Sequence, residues 1–152
     1  MEEFFENELV KKFEGMVENN EELYFETEEY EDIIIYYLEM GDISFAEMAT
    51  KFALKLHPQS LDLKIKKFEV LLELENYTEA KDLMLELQEA SMESTDFLVC
   101  CAKYYSNLGN PRKAITFCET ALELEEEEPF IHNFMADEFV NLEDPFNALK
   151  HY

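Results

Sequence analysis

Apolar residues recur along the chain at the spacing of a helix face. In the segment 30–40 they are Tyr30, Ile33, Ile34, Tyr37 and Leu38. The segment 46–56 repeats this spacing, and short polar turns separate such segments along most of the chain. Regular alternation of apolar and polar residues, which marks a half-buried strand, is poor. The pattern therefore predicts an all-α protein made of consecutive helices.

The first 26 residues hold one amphipathic segment. Residues 2–18 place five apolar side chains on one helical face: Phe5, Leu9, Phe13, Met16 and Val17. The linker that follows contains Leu23, Tyr24 and Phe25, which could pack on the next helix. We expect residues 1–26 to form an N-terminal capping helix and linker, because the ends of helical arrays need atypical caps. The polar face of this helix is acidic rather than basic, which argues against a membrane-docking role.

Four alanines set a period for the rest of the chain. Ala46, Ala80, Ala114 and Ala148 each follow the previous one by 34 residues. In this frame the chain divides into blocks 27–60, 61–94 and 95–128 and an incomplete block 129–152. A fixed period of this length is typical of stacked helical repeats. Each alanine is expected where two paired helices approach closely, and a leucine there would overpack the contact at a cost of about 1–3 kcal/mol.

Turn and cap residues recur in the same frame. Gly41 and Gly109 stand at the expected turns between paired helices, where an unhindered backbone is needed. In the second block Glu75-Asn76 replaces the glycine. Helix starts are predicted at Ser60, at Thr78, at Ser44 in a capping box with Glu47, and at Asn110 and Asp144, each of which precedes a proline.

Two blocks carry a longer motif. Residues 41–60, GDISFAEMATKFALKLHPQS, and 108–126, LGNPRKAITFCETALELEE, resemble the closing half of the tetratricopeptide-repeat (TPR) consensus. The place of the consensus tryptophan is taken by Tyr30, Lys64, Leu98 and His132, and the proline after the second helix occurs only as Pro58. The resemblance covers 27–152. It implies a right-handed superhelical array of antiparallel helix pairs, a TPR-like α-solenoid, that binds another protein.

The resemblance also implies where a partner would bind. In TPR arrays the first helix of each repeat lines a concave groove, and five positions of each block would face it. In the first two blocks these are Glu28, Glu31, Ile35, Leu38, Glu39, Asp62, Ile65, Glu69, Leu72 and Glu73. In the last two they are Asp96, Val99, Lys103, Ser106, Asn107, Phe130, Asn133, Asp137, Val140 and Asn141. The predicted surface is acidic with an apolar stripe, and Lys103 is its one base.

An apolar stripe rimmed by carboxylates suits a basic or amphipathic segment of a partner protein. The alternative is that neighbouring helices, or a second copy of the chain, cover the stripe. One TPR subclass is not expected, namely the heat-shock-chaperone binders that hold a C-terminal carboxylate in a basic clamp. The matching positions are Glu31, Ile35, Lys66, Asp96 and Cys100, of which only Lys66 is basic.

Net charge narrows the choice of partners. The chain has 36 acidic and 12 basic residues, and its formal net charge is −24. Phosphate binding needs a basic surface, so direct binding of nucleic acid or an anionic membrane is disfavoured, whereas basic proteins would be attracted. Three functions remain: a protein-binding scaffold, a small acidic secretion-type chaperone that holds an export substrate, and an acidic nucleic-acid mimic.

The sequence shows no arrangement typical of catalysis. His57, His132 and His151 sit in unrelated places of the repeat, the three glycines are isolated, and metal-ligand spacings are absent. We therefore expect neither an enzyme nor a bound cofactor or metal. Cys101 and Cys118 fall on inward faces of the third block, which predicts buried, reduced thiols and a cytoplasmic protein. No apolar run is long enough to span a membrane.

The fourth block stops early in its second helix. An incomplete terminal pair lacks the polar cap that repeat arrays need, so apolar residues of this block would be exposed. These residues are Phe139, Val140, Leu142, Phe146 and Tyr152. We expect either that the chain belongs to a longer array or that its C-terminal end forms a homodimer.

Overall fold

The computed structural model describes residues 2–125, 127–143 and 145–151, without the side chains of 2–7, 145 and 146. Within these ranges the chain forms nine α-helices: α1 (Glu2–Asn19), α2 (Thr27–Glu39), α3 (Ile43–Leu56), α4 (Leu61–Glu73), α5 (Tyr77–Ser91), α6 (Thr95–Asn107), α7 (Pro111–Leu124), α8 (Pro129–Asn141) and α9 (Pro145–His151). The predictions for the side chains of Phe5, Asp144, Phe146 and Tyr152 lie outside the described residues.

The helices repeat the period of the alanines. The first helices of the pairs, α2, α4, α6 and α8, begin at Thr27, Leu61, Thr95 and Pro129. Their partners, α3, α5, α7 and α9, begin at Ile43, Tyr77, Pro111 and Pro145. Both series advance by 34 residues, and all four alanines are buried. The predicted all-α architecture of consecutive helix pairs is confirmed.

Two compact units make up the structure, Met1–Glu75 and Asn76–Tyr152. In the first unit α2 packs against α1, α3 and α4, and in the second unit α6 packs against α5 and α7, and α8 against α7 and α9. Each unit buries its own large side chains. They include Phe13, Tyr30, Ile33, Ile34, Leu63 and Phe68 in the first unit, and Phe97, Leu98, Ile131 and Met135 in the second.

The amphipathic N-terminal segment packs its apolar face on the first helix pair. The Phe13 ring of α1 makes edge contacts with Tyr37 and Phe52, with ring centres 6.1 and 5.9 Å apart. The Tyr37 hydroxyl donates a hydrogen bond to Glu14 Oε1 at 2.9 Å. In the linker Phe25 is buried, whereas Leu23 and Tyr24 are exposed. These contacts anchor α1, and its capping role stays a prediction.

Two predicted helix starts are confirmed. The side chains of Ser60 and Asn110 each accept a hydrogen bond from the backbone N–H three residues further along the chain. Such a bond satisfies one of the open donors in the first turn of a helix. Pro111 follows Asn110 at the first helical position, where a missing N–H costs nothing.

The helix starts predicted at Ser44 and Thr78 are wrong. The caps are Asp42 and Asn76, whose side chains accept bonds from the backbone N–H three residues on. Each of them directly follows the turn residue of its pair, so the helix has already begun, at Ile43 or Tyr77, one residue before Ser44 or Thr78. A serine or threonine inside that first turn has no capping role left to fill.

The turn within each pair needs a residue with left-handed backbone. Gly41 and Gly109 have φ of 76° and 77°, and Glu75 and Glu143 hold the same place in the frame with φ of 57° and 58°. The N–H of Gly41 and that of the next residue donate to carbonyls three and five residues back, at 3.2 and 2.9 Å. This is a Schellman motif, which glycine closes best. A residue with a Cβ adopts this backbone at a cost of about 1 kcal/mol.

The Glu75→Gly variant should therefore be more stable than the natural chain, by about 0.5–1 kcal/mol in the free energy of unfolding. Urea denaturation followed by circular dichroism measures the change. Glu75→Gln is the matched control, because it removes the same charge and keeps the Cβ.

The converse variant, Gly41→Ala, should be destabilised by about 1 kcal/mol. Apart from residue 41 itself and its two chain neighbours, no described atom lies within 4 Å of the added Cβ, so this loss would come from the backbone conformation alone. A Glu75→Gly variant no more stable than Glu75→Gln would show that the second turn is not strained.

Candidate partner-binding surface

Carboxylates of α2 and α4 share one surface of the first unit. The two helices pack on each other. Burial raises the pKa of the Glu31 carboxyl on α2, and the charge of Asp62 on α4 raises it further. Asp32 and Glu28 add to this effect, and Lys66 opposes it. We call Glu28, Glu31, Asp32 and Asp62 the acidic surface, and its members repel one another.

A lysine beside the acidic surface is engaged in an ion pair. Lys66 Nζ lies 3.2 Å from Glu69 Oε2, one turn further along α4. The two side chains are only 14% and 25% exposed, so water screens this pair less than an ion pair in open solvent. Lys66 therefore holds Glu69 in place and neutralises the acidic surface only in part.

The apolar groove positions of the first unit differ in exposure. Ile35 and Leu38 of α2 are partly exposed, whereas Ile65 and Leu72 of α4 are only 4% and 5% exposed. The Ile65 and Leu72 side chains cannot contact a partner unless the protein moves. For these two positions the observation agrees with the alternative in which neighbouring helices cover the apolar stripe. Among the charged positions Glu28, Glu39, Asp62 and Glu73 are exposed, and Glu31 and Glu69 are partly exposed.

The corresponding positions of the second unit carry different chemistry. Lys103 Nζ of α6 lies 5.3 Å from the ring centre of Phe130 on α8, in a cation–π contact. The Phe130 side chain is still 52% exposed. The other positions are Asp96, Asn107, Asn133, Asp137, Val140 and Asn141, which are exposed, and Val99 and Ser106, which are partly exposed. Amides and apolar groups thus outnumber carboxylates here.

A buried carboxylate in the second unit was not foreseen. Glu138 of α8 is buried, and the Ser106 hydroxyl of α6 donates a hydrogen bond to its Oε1. Burial has the largest effect in raising the pKa of the Cys118 thiol, and the charge of Glu138 raises this pKa further. Nothing in the sequence marks this residue, because one carboxylate among 36 stands out only when its burial is known.

Two of the three histidines lie in contact, although they occupy different places in the repeat. His132 of α8 and His151 of α9 place their Nδ1 atoms 2.9 Å apart. Both rings line an open cleft of about 560 Å³, together with Glu119 and Glu123 of α7. Their places in the repeat differ because one histidine belongs to the first helix of the pair and the other to the second. The period of a sequence does not reveal contacts within a pair.

Cys101 and Cys118 are buried and free, as predicted for the third block. Burial is the largest cause that raises the pKa of both thiols to about 12. In the part of the chain that the structure describes, no group of three His, Cys, Asp or Glu side chains is placed to hold a metal ion. None of the described helices is long and apolar enough to cross a membrane.

Comparison with known proteins addresses the fold. No protein-family model matches the chain, and no curated protein matches its sequence. Solved structures of MamA, a TPR protein, do match. MamA from AMB-1 gives a TM-score of 0.66 at 16% identity, with 97% of this chain and 93% of that chain covered. MamA from MSR-1 gives a TM-score of 0.64 at 17% identity, and the match covers 97% of this chain and 90% of that chain. A structure of Desulfovibrio magneticus RS-1 MamA that begins at its residue 41 gives a TM-score of 0.66 at 22% identity. This match covers 83% of this chain and 71% of that chain.

This chain has the TPR fold. The helices α2, α4, α6 and α8 are the first helices of its TPR pairs, and α3, α5, α7 and α9 are the second. At identities this low the likeness is one of fold alone. The groove positions named from the sequence therefore stay a prediction.

The Glu31→Gln variant should raise the melting temperature at neutral pH. The pKa of Glu31 is higher in the folded chain than in the unfolded chain, so ionisation of Glu31 at pH 7 disfavours the fold. The natural chain regains this stability as the pH falls through the pKa that Glu31 has in the folded chain. The recovery is complete below the ordinary glutamate pKa of about 4. Calorimetry should thus find a difference between variant and natural chain at pH 7 that shrinks towards pH 4.

The control for this measurement is Glu8→Gln, which removes an exposed charge from α1 of the same unit. It reports the general effect of a lower net charge. If Glu31→Gln changes the melting temperature no more than Glu8→Gln does, the repulsion at the acidic surface is negligible.

Cys101 and Cys118 should react slowly with a thiol reagent in the folded chain. A thiol with a pKa near 12 holds almost no thiolate at neutral pH, and thiolate is the reactive species. Labelling with an aromatic disulfide should speed up by orders of magnitude in urea. Rapid labelling of both residues in native buffer would mean that α6 and α7 do not pack as described.

Proposed function

We propose that this TPR protein is a non-catalytic scaffold that binds a basic, amphipathic segment of a partner protein on its acidic surface. The observation that carries the proposal is the environment of Glu31: burial raises the pKa of its carboxyl, and the charges of the exposed Asp62 and Asp32 raise it further, although Lys66 acts in the opposite direction. A lysine or arginine placed among these carboxylates would replace repulsion by attraction. Such a site favours a cationic ligand more than isolated surface carboxylates do, because fewer water molecules screen it.

The partner segment needs an apolar side as well as a basic one. Ile35 and Leu38 lie on α2 with Glu31 and remain partly exposed, so they offer an apolar contact beside the carboxylates. The long stems of lysine and arginine can cover such apolar surface while the charged heads reach the carboxylates. An amphipathic helix or an extended basic segment satisfies both requirements.

The proposal places the basic segment on the first unit. In the second unit Lys103 occupies a groove position and would repel a basic side chain. The neighbouring surface offers the exposed Phe130 and Val140 and several asparagines, which suit apolar or neutral parts of a partner. The two units thus differ in what they would attract.

Two related functions are distinguished by the partner. A secretion-type chaperone is a special case of the proposal, in which the basic segment belongs to an export substrate. A nucleic-acid mimic would present carboxylates in a row, as phosphates are, whereas here three carboxylates, of Asp62, Asp32 and Glu28, act on the single partly buried Glu31. A homodimer through the C-terminal end is a separate proposal, supported by the largely exposed Val140 and Leu149.

The test uses a synthetic helical peptide with lysines on one face and leucines on the other, labelled for fluorescence anisotropy. Its affinity for the chain should fall about tenfold when the salt concentration rises from about 50 to about 500 mM. The double variant Glu31→Gln/Asp62→Asn should weaken binding about three- to tenfold, because two charge contacts are lost. Sedimentation of the chain alone, run first, establishes whether it self-associates.

The matched control is Glu8→Gln/Glu89→Gln, which removes the same charge from exposed sites on α1 and α5. An equal loss of affinity in the control would show that the peptide responds only to net charge. Equal binding of a peptide with glutamates in place of the lysines would exclude a basic ligand altogether.

A further inference from the structure

A cavity lies in the first unit where α1, the linker and α3 meet around Tyr30. Its volume is about 80 Å³. The residues that line it are Met16 of α1, Glu22 and Leu23 of the linker, Tyr30 of α2, and Phe52, Lys55 and Leu56 of α3. Met16 and Tyr30 are buried, whereas Leu23 and Leu56 are 40% and 43% exposed. The buried pair therefore forms the inner end of the cavity, and the two leucines stand at its mouth.

Local hydrogen bonds hold the walls of this cavity in place. At the end of α1 the N–H of Glu21 donates to the carbonyl of Met16, five residues back, at 3.0 Å. This bond belongs to a Schellman motif, which fixes the direction in which the linker leaves the helix. At the other end of the linker the ring of His57 donates from Nε2 to the carbonyl oxygen of Phe25 at 2.8 Å. The linker is thus tied to both α1 and the end of α3, and the cavity is a fixed feature of the first unit.

The Tyr30 hydroxyl is the feature that points to a ligand. The side chain is fully buried, and its hydroxyl has no hydrogen-bond partner among the described residues. The ring makes edge contacts with Phe25 and His57, whose ring centres lie 5.3 and 6.3 Å away, and these contacts hold the ring without satisfying the hydroxyl. Burial of a hydroxyl without a partner disfavours the folded state. A ligand that brings an acceptor oxygen to the inner end of the cavity would remove this cost.

The groups at the mouth favour a neutral molecule. Lys55 Nζ and Glu22 Oε1 lie 4.0 Å apart, and their side chains are 74% and 92% exposed, so this ion pair is weak. Its two charges offset each other, and the net charge of −24 repels anions in general. Apart from Tyr30, the other lining side chains are apolar. The walls therefore suit an apolar body rather than an ion.

The volume limits the ligand to a small molecule. An apolar cavity of about 150 Å³ can hold benzene, and the present cavity, about half as large but open at one end, suits a body of about five or six non-hydrogen atoms. Solvent does not reach the Tyr30 hydroxyl, so a ligand has to displace part of the inner wall. Met16 forms part of that wall, and its unbranched side chain adapts to such a shift more easily than a ring does.

We propose that this cavity is a binding site for a small neutral molecule with a compact apolar body and one carbonyl oxygen, which accepts a hydrogen bond from the Tyr30 hydroxyl. Such a ligand contacts α1, the linker, α2 and α3 together, so its binding stabilises the attachment of α1 to the first helix pair. The site stands on contacts within the first unit and does not depend on the partner proposed for the acidic surface.

Cyclopentanone is the probe for this site, and cyclopentane, which has the same ring without the oxygen, is the reference probe. In methyl NMR spectra of the full chain, cyclopentanone should shift the Met16 resonance saturably, with a dissociation constant of about 10 mM or lower. The methyl resonance of Met84, on α5 of the second unit, should not move.

The Tyr30→Phe variant separates the hydroxyl from the ring. It should weaken the binding of cyclopentanone about three- to tenfold, the share of one hydrogen bond, and leave the affinity for cyclopentane unchanged. Without ligand the variant should melt no lower than the natural chain, because the hydroxyl that it lacks has no described partner.

Tyr37→Phe is the matched control on the same helix. The Tyr37 hydroxyl donates a hydrogen bond to Glu14 at 2.9 Å, so its removal should lower the melting temperature and leave cyclopentanone binding unchanged. Circular dichroism confirms that both variants are folded. The proposal would be overturned by the absence of a saturable Met16 shift, by an equal effect of Tyr30→Phe on the two probes, or by a loss of stability in Tyr30→Phe as large as that in Tyr37→Phe.

Discussion

The burial of one alanine at a fixed place in the second helix of each block is the constraint on which this array depends. Ala46, Ala80, Ala114 and Ala148 are all buried, and each lies at the same distance from the start of its helix. A small side chain at a buried helical position lets a neighbouring element pack closely on that helix. The left-handed turn residue and the position of the helix start recur with the alanine in every block. Because each pair repeats the same solution locally, the fold tolerates a weak consensus elsewhere.

Much of this fold is visible in the sequence because the period and the helical spacing report the same arrangement. The helix pairs, the buried alanines, the turns at Gly41 and Gly109 and the buried thiols could all be predicted. The sequence does carry a signal for the observed caps, because Asp42 and Asn76 follow the turn residue directly, as Asn110 does.

The candidate site was harder to predict because a period gives a residue's place in a pair but not what covers it. Ile65 and Leu72 share their frame positions with exposed or partly exposed residues of other blocks, yet they are buried. The burial of Glu138 and the contact between His132 and His151 depend on side-chain directions that no spacing encodes.

For the attraction of a basic partner, the positions of the acidic residues matter more than their number. An excess of 24 negative charges predicts attraction to basic partners but no particular place for them. In the structure Glu47 pairs with Lys51 at 3.0 Å on an exposed face of α3, and a pair of that kind contributes little. Glu31 differs because burial and neighbouring carboxylates act on it together. The proposed binding therefore depends on a few carboxylates, of Glu28, Asp32 and Asp62, whose charges act on Glu31.

The place of the lost consensus tryptophan shows how such a scaffold acquires separate chemistry. This place holds Tyr30 and Leu98, which are fully buried, and Lys64 and His132, which are partly exposed. The bounds of the first helix repeat in all four blocks whichever of these residues is present. In the fourth block the change puts an imidazole where α9 packs on α8, and the Nδ1 atom of His151 lies 2.9 Å from that of His132. The same position thus packs in the core of two blocks and makes a polar contact between paired helices in the fourth.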